Sequence, residues 1–227
     1  MAALIVIAVV FAVVFLPGVW VRRVLERYSE PADRYSGTGA DLARHLLEVS
    51  GVSGVGVEQT EAGDHYDPQE KVVRLTSSNY SGRSLTAITV AAHEVGHALQ
   101  DATAYAPLRW RTRLVRLVGP VQKIGAGILM ISPFLGAAAR IPQVGLIAFA
   151  AGFLTLASTT VVHLVTLPTE FNASFARALP MLDTHRILKR VDRPHARKIL
   201  TAAAMTYVAA SLMSLLNIAR WWAILRR

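Results

Sequence analysis

Residues 93–97 read HEVGH, inside the stretch TAITVAAHEVGHALQDA. On an α-helix, positions i and i+4 share one face about a turn apart, so His93 and His97 can offer imidazole nitrogens to a single ion. Glu94 sits at the edge of that face, within reach of a water on the metal. Zinc lowers the pKa of such a water to about 7, and a neighbouring carboxylate base completes a hydrolytic nucleophile. Gly96 leaves room beside the helix for substrate or for another backbone. The bland alternative is a pair of histidines on a packed helix.

Hydrolytic zinc needs a third protein ligand and one open position. His163, Glu170, Glu26, Glu30, Asp64 and Asp67 are the available donors. Glu170 is favoured on physical grounds. It follows a long apolar run and Pro168, where an acid is costly at a bilayer edge unless paired or metal-bound. Asp64, His65 and Asp67 lie in GDHYDP, whose Asp and Pro are natural turn formers, so a connecting loop is the stronger reading there. Tyr105, Tyr207, His163, His185 and His195 are candidate donors to a tetrahedral oxyanion, and the sequence does not choose among them.

The elements that must position these groups follow from pattern. SGTGADLARHLLEVSGV reads as an N-capped amphipathic helix with Leu42, Leu46 and Leu47 on one face. GVGVEQ and KVVRLTS read as two short strands, separated by the turn-rich EAGDHYDPQE. Residues 85–102 form the helix that carries HEVGH.

Around this polar portion the chain is apolar: of its 227 residues, 53% are hydrophobic and 17% charged, with mean hydropathy +0.39. The absence of cysteine excludes disulfides, thiolate zinc and a cysteine nucleophile. The net charge of +9 is concentrated beside apolar runs without basic–aromatic alternation, which favours lipid headgroups over nucleic acid. A span needs about 20 apolar residues. Residues 2–20 supply one, read as an uncleaved anchor with its N-terminus outside. Residues 121–167 form a hairpin of two spans, about 124–139 and 144–167, and residues 199–219 supply a fourth. Arginines and lysines after the first span, before the second and after the third put residues 21–120 and 168–198 on the cytoplasmic side, with the 140–143 turn outside. Arg220, Arg226 and Arg227 dissent from that orientation, and snorkelling accommodates them.

AAHEVGHALQDATAYAPLR, the upstream GDHYDP and the downstream LVTLPTEFNAS resemble the bacterial membrane zinc metallopeptidase family, and the resemblance covers nearly the whole chain. It implies a gluzincin-type site in which His93, His97 and Glu170 hold one Zn2+ per chain and Glu94 is the base. Membrane peptidases of similar layout carry an aspartate four residues after the third ligand. Here that place is Ser174; Asp101, one turn beyond His97, is a candidate substitute for supporting a zinc histidine, with surface or capping duty as the equal alternative.

The expected fold is therefore a mainly α membrane protein with about four transmembrane helices and a small α+β zincin-like catalytic portion. The expected function is that of an integral, multi-pass zinc endopeptidase of the bacterial cell membrane, with its site on the cytoplasmic side. Its partners would be the lipid bilayer and a membrane or membrane-near polypeptide substrate, with no nucleic acid. The rivals are a non-catalytic zinc-binding scaffold or partner-binding membrane protein, and hydrolysis of a non-peptide bond.

Overall fold

The computed structural model describes residues 2–139 and 142–225. Its elements in order are α1 (Ala2–Arg27), α2 (Gly39–Val49), β1 (Gly56–Thr60), β2 (His65–Asp67), β3 (Val72–Thr76), α3 (Ser77–Tyr80), α4 (Leu85–Ala102), α5 (Ala106–Ala139) and α6 (Pro142–Phe171). A π-helical segment (Asn172–Ala178), α7 (Leu179–Thr184), a 3-10 turn (Arg190–Asp192) and α8 (Arg193–Leu225) complete the chain. The architecture is mainly helical with one small sheet.

The polar portion folds for legible reasons. Thr38 and Asp41 form a reciprocal capping box at the start of α2: the Thr38 hydroxyl accepts from the Asp41 N–H at 3.1 Å, and the Asp41 carboxylate accepts from the Thr38 N–H at 3.0 Å. The apolar face of α2 then buries Leu42, Leu46 and Leu47. In the sheet, ordered β1-β3-β2, the central β3 buries Val72, Val73 and Leu75. β1 runs parallel to β3 with Gly56 opposite Val72, and β2 runs antiparallel to it with Tyr66 opposite Val73. β2 corrects the expectation of a plain loop in EAGDHYDPQE. Three residues with a single apolar side chain give no readable alternation, yet burial of Tyr66 and pairing with β3 suffice to hold them extended.

Two compact units divide the chain. One comprises residues 17–109 and 167–206. Its core joins Leu46, Leu75, Val95, Leu182, Ile199 and Leu200, all essentially inaccessible. The other comprises residues 1–16, 110–166 and 207–227. It exposes large apolar side chains, among them Leu117 (70%), Phe134 (73%) and Ile147 (69%).

The long helices exceed the expected spans. α5 begins at Ala106 and continues through Pro133, so Arg109, Arg111, Arg113, Arg116 and Lys123 are helical rather than loop residues. α8 begins at Arg193, six residues before the expected span. Among the described residues, one helix, Gln143–Thr184, is long and apolar enough to cross a membrane by length and composition. Residues 140 and 141 of the expected outer turn, and Arg226 and Arg227, fall outside the described residues.

Candidate metal centre

α4 is built to be buried. Ser84 caps its start, the hydroxyl accepting from the Ala87 N–H at 3.1 Å. Behind that cap, His93, Glu94 and His97 are all buried along a helix that is apolar on most of its faces. The ring centroids of His93 and His97 are 4.8 Å apart, as one helical turn requires.

Glu170, near the end of α6, meets them. Its Oε2 lies 3.2 Å from His93 Nε2 and 3.3 Å from His97 Nε2. Each of the three residues offers one ligand atom, and these atoms lie within 4.8 Å of one another. Gly96 makes the meeting possible. A Cβ there would stand 2.7 Å from the Ala173 carbonyl oxygen, so any side chain would force the π-helical segment away from α4. Of the two uses anticipated for Gly96, the close approach of another backbone is the one observed.

The remaining histidine nitrogens fix the orientation of both rings. His93 Nδ1 lies 3.0 Å from Ser174 Oγ, which in turn donates to the Leu200 carbonyl at 3.3 Å. His97 Nδ1 lies 2.9 Å from Gln100 Oε1. With Nδ1–H donating in both cases, both Nε2 lone pairs face Glu170. Gln100 spends its amide nitrogen on the Thr169 carbonyl at 2.8 Å and on Asn172 Oδ1 at 2.9 Å. It thus ties α4 to the place where α6 widens into the π-helix, a departure from α-geometry that recurs at functional sites.

Ser174 therefore occupies the supporting position where related layouts carry an aspartate, while Asp101 does something else. The Asp101 carboxylate accepts from the Tyr66 hydroxyl at 2.7 Å and pairs with Lys71, tying α4 to the sheet. Burial, with Asp101 beside it, pushes the Tyr66 phenol well above its ordinary range. Sequence reasoning missed Gln100. Its signal was available, since an amide three residues after His97 lies on the same helical face.

Most of the other candidates have partners of their own, while His163 Nδ1 is buried with no hydrogen bond among the described residues. Asp64 accepts from the Thr76 N–H (2.7 Å) and hydroxyl (3.0 Å) and from the Asn79 amide (2.8 Å). Asp67 caps the turn at Gln69 and Glu70 and pairs with Arg74. His65 Nδ1 donates to the Gly63 carbonyl at 2.8 Å. Arg177 stacks over Tyr105, His185 caps α7, and His195 stacks on Tyr28. In the other unit, Tyr207 accepts from Arg111 at 2.8 Å, and its ring packs near that of His163.

A metal fits the group by two tests. Glu170 Oε1 is buried without a hydrogen-bond partner among the described residues, a state an ion would relieve. The donor set, two imidazoles and a carboxylate, is also one that zinc takes in hydrolases.

A buried His–His–Glu group on an HExxH helix is the arrangement of a zinc peptidase. Residues 3–226 match the family described as "putative neutral zinc metallopeptidase", and the chain belongs to it. A relative from Bacillus subtilis (strain 168), named "Putative membrane protease YugP", is 37% identical over 203 residues, covering 88% of this chain and 86% of its own length. No solved structure matches the chain.

Proposed function

We propose that the protein is an integral membrane zinc endopeptidase in which His93, His97 and Glu170 hold one Zn2+ and Glu94 is the general base. The observation that carries this reading is the convergence of one ligand atom from each of the three residues within 4.8 Å, with both Nδ1 atoms already partnered. Three protein ligands leave a coordination position open, as hydrolysis requires and a structural site does not. Zinc bound there supplies Lewis-acid activation of water and of the scissile carbonyl. Glu94, adjacent to His93 on α4 and buried, takes a proton from the attacking water as the new C–O bond forms. It then passes that proton to the departing amine nitrogen as the C–N bond breaks, which leaves a carboxylic acid, an amine and the original carboxylate.

The membrane arrangement belongs to the same proposal: spans at 2–20, 124–139, 144–167 and 199–219, with residues 21–120 and 168–198 cytoplasmic. The large exposed apolar side chains of residues 110–166 and the name of the Bacillus relative support it. A site whose third ligand, Glu170, directly follows such a span in the sequence suits a membrane or membrane-near polypeptide.

Glu94→Gln should retain zinc, lose peptide hydrolysis and trap substrate. Cleavage of a peptide library at the parental rate by this variant would remove Glu94 as base. Because the chain has no cysteine, Gln59→Cys and Gln143→Cys report topology without background. In intact cells an impermeant maleimide should label position 143 and spare position 59. The reverse pattern would overturn the orientation.

A further inference from the structure

The segment that follows α1 and the first turn of α8 border a cleft of about 390 Å3, lined by Arg27, Tyr28, Glu30, Arg34, Leu85 and His195. None of these residues belongs to the metal group. We propose that the cleft binds the headgroup of an ethanolamine phospholipid: a phosphodiester joined to a primary ammonium.

The lining offers two kinds of polar group. Arg27 is exposed at the last position of α1, and His195 is exposed with its ring stacked on Tyr28 at 5.0 Å. Arg34 is held in place by Asp192, which is wholly buried and accepts from Arg34 Nε at 2.8 Å and from the Tyr35 hydroxyl at 2.7 Å. That pairing uses the Nε/Nη2 edge of the guanidinium and leaves the Nη1 donors for a ligand. These three groups suit a phosphate. Glu30 is an exposed carboxylate whose Oε2 accepts from the Ala32 N–H at 3.1 Å, its one hydrogen bond among the described residues. It suits an ammonium, through a charge-assisted hydrogen bond. Two guanidinium groups and one carboxylate around a single cleft match a zwitterion better than a simple anion.

With the proposed spans, the sequence positions of the lining residues argue for a lipid as the source. Arg27 lies seven residues past Trp20, the end of the first apolar run, which is about 10 Å along a helix. His195 precedes Ile199, the start of the last run, by four residues, or about 6 Å. The headgroup layer is about 5–8 Å thick on each side of the hydrocarbon, so side chains from both positions reach it. Trp20 and Tyr28 are the aromatic types that settle at that level.

The cleft also touches the elements that hold the metal group. Leu85 opens α4, the HEVGH helix, and His195 lies in the first turn of α8, whose Leu200 carbonyl accepts from Ser174. A bound headgroup would brace both helices.

The inference rests on the membrane part of the proposed function and not on its zinc chemistry. The test uses full-length protein reconstituted in nanodiscs containing equal parts of phosphatidylethanolamine, phosphatidylcholine and phosphatidylglycerol. Lipids that remain bound are identified by native mass spectrometry, and thermal midpoints are read in parallel. Phosphatidylethanolamine should be enriched over phosphatidylcholine, which has the phosphate but no N–H donor. Arg27→Gln and Glu30→Gln, both at exposed positions, should each weaken that preference about tenfold while zinc content and the midpoint in pure phosphatidylcholine stay parental. Stabilisation of detergent-solubilised protein by free glycerophosphoethanolamine, abolished by the same variants, would support the same chemistry from a soluble source. Equal retention of all three lipids, enrichment of phosphatidylglycerol instead, or unchanged preference in both variants would overturn the site. Failure to enter nanodiscs of any composition would sink the membrane reading itself.

Discussion

Two histidine-and-acid clusters lie in the same compact unit, and only one is arranged for a metal. In the Asp64–His65–Asp67 stretch, both Asp64 oxygens accept from Thr76 and Asn79, both Asp67 oxygens accept from the following turn and Arg74, and His65 is turned to Gly63. Around HEVGH, by contrast, one atom from each of three residues converges, and Glu170 Oε1 is buried without a partner among the described residues. The residue types are nearly the same. What separates the clusters is what their polar atoms face: backbone and side chains of the surrounding loop and sheet in one, a common point among three residues in the other.

Breaking each cluster should expose that contrast. His93→Ala, His97→Ala and Glu170→Ala should each abolish stoichiometric zinc, while Asp64→Ala, His65→Ala and Asp67→Ala should keep one zinc per chain by elemental analysis. Full zinc in Glu170→Ala would remove it as a ligand. Next in size come the partners of the Nδ1 atoms. Gln100→Ala and Ser174→Ala should each weaken zinc about 10- to 100-fold in chelator competition, and Asp101→Ala should not, because Asp101 serves Tyr66 and Lys71.

A third buried acid, Asp192, is held by a guanidinium rather than by imidazoles. The Arg34 guanidinium and the Tyr35 hydroxyl hold the Asp192 carboxyl below the usual carboxylate range, against the opposing effect of burial. A lowered folded-state pKa contributes stability that is fully present above the unfolded value of about 3.9 and is lost as pH falls through the folded one. Asp192→Asn should therefore cost about 3 kcal/mol at neutral pH, and the gap to the parent should close below about pH 4 in denaturant unfolding. A constant gap across that range would exclude the ionised pair. Gly96→Ala is expected to have the smallest effect on stability, about 1–3 kcal/mol from the forced separation at Ala173. Its diagnostic feature is a parallel loss of zinc affinity, which overpacking elsewhere would not produce.

Much of the outline was legible beforehand. The capping signal before α2, the two longer strands and the HEVGH helix all stand where local pattern put them, because each is specified by residues within one or two turns. β2 was not legible, since its three residues carry too little pattern and depend on β3 for pairing. The start of α5 was hidden for another reason. Its arginines read as a cytoplasmic loop, but Arg is a good helix former, and the helix runs on through the breaker pair Gly119–Pro120.

The site divides in the same way. The pairing of His93 with His97 is determined by the sequence alone, because helical periodicity brings i and i+4 together whatever surrounds them. Glu170 was a choice among several acids, argued from the cost of leaving it unpaired. That it meets both imidazoles, that Gly96 admits the Ala173 backbone, and that Ser174 and Gln100 rather than Asp101 hold the Nδ1 atoms were decided only in three dimensions. The physical reason is distance along the chain: Ser174 stands 81 residues from the ring it holds. No local propensity spans such an interval, and only the packing of α4 against the π-helical segment sets it.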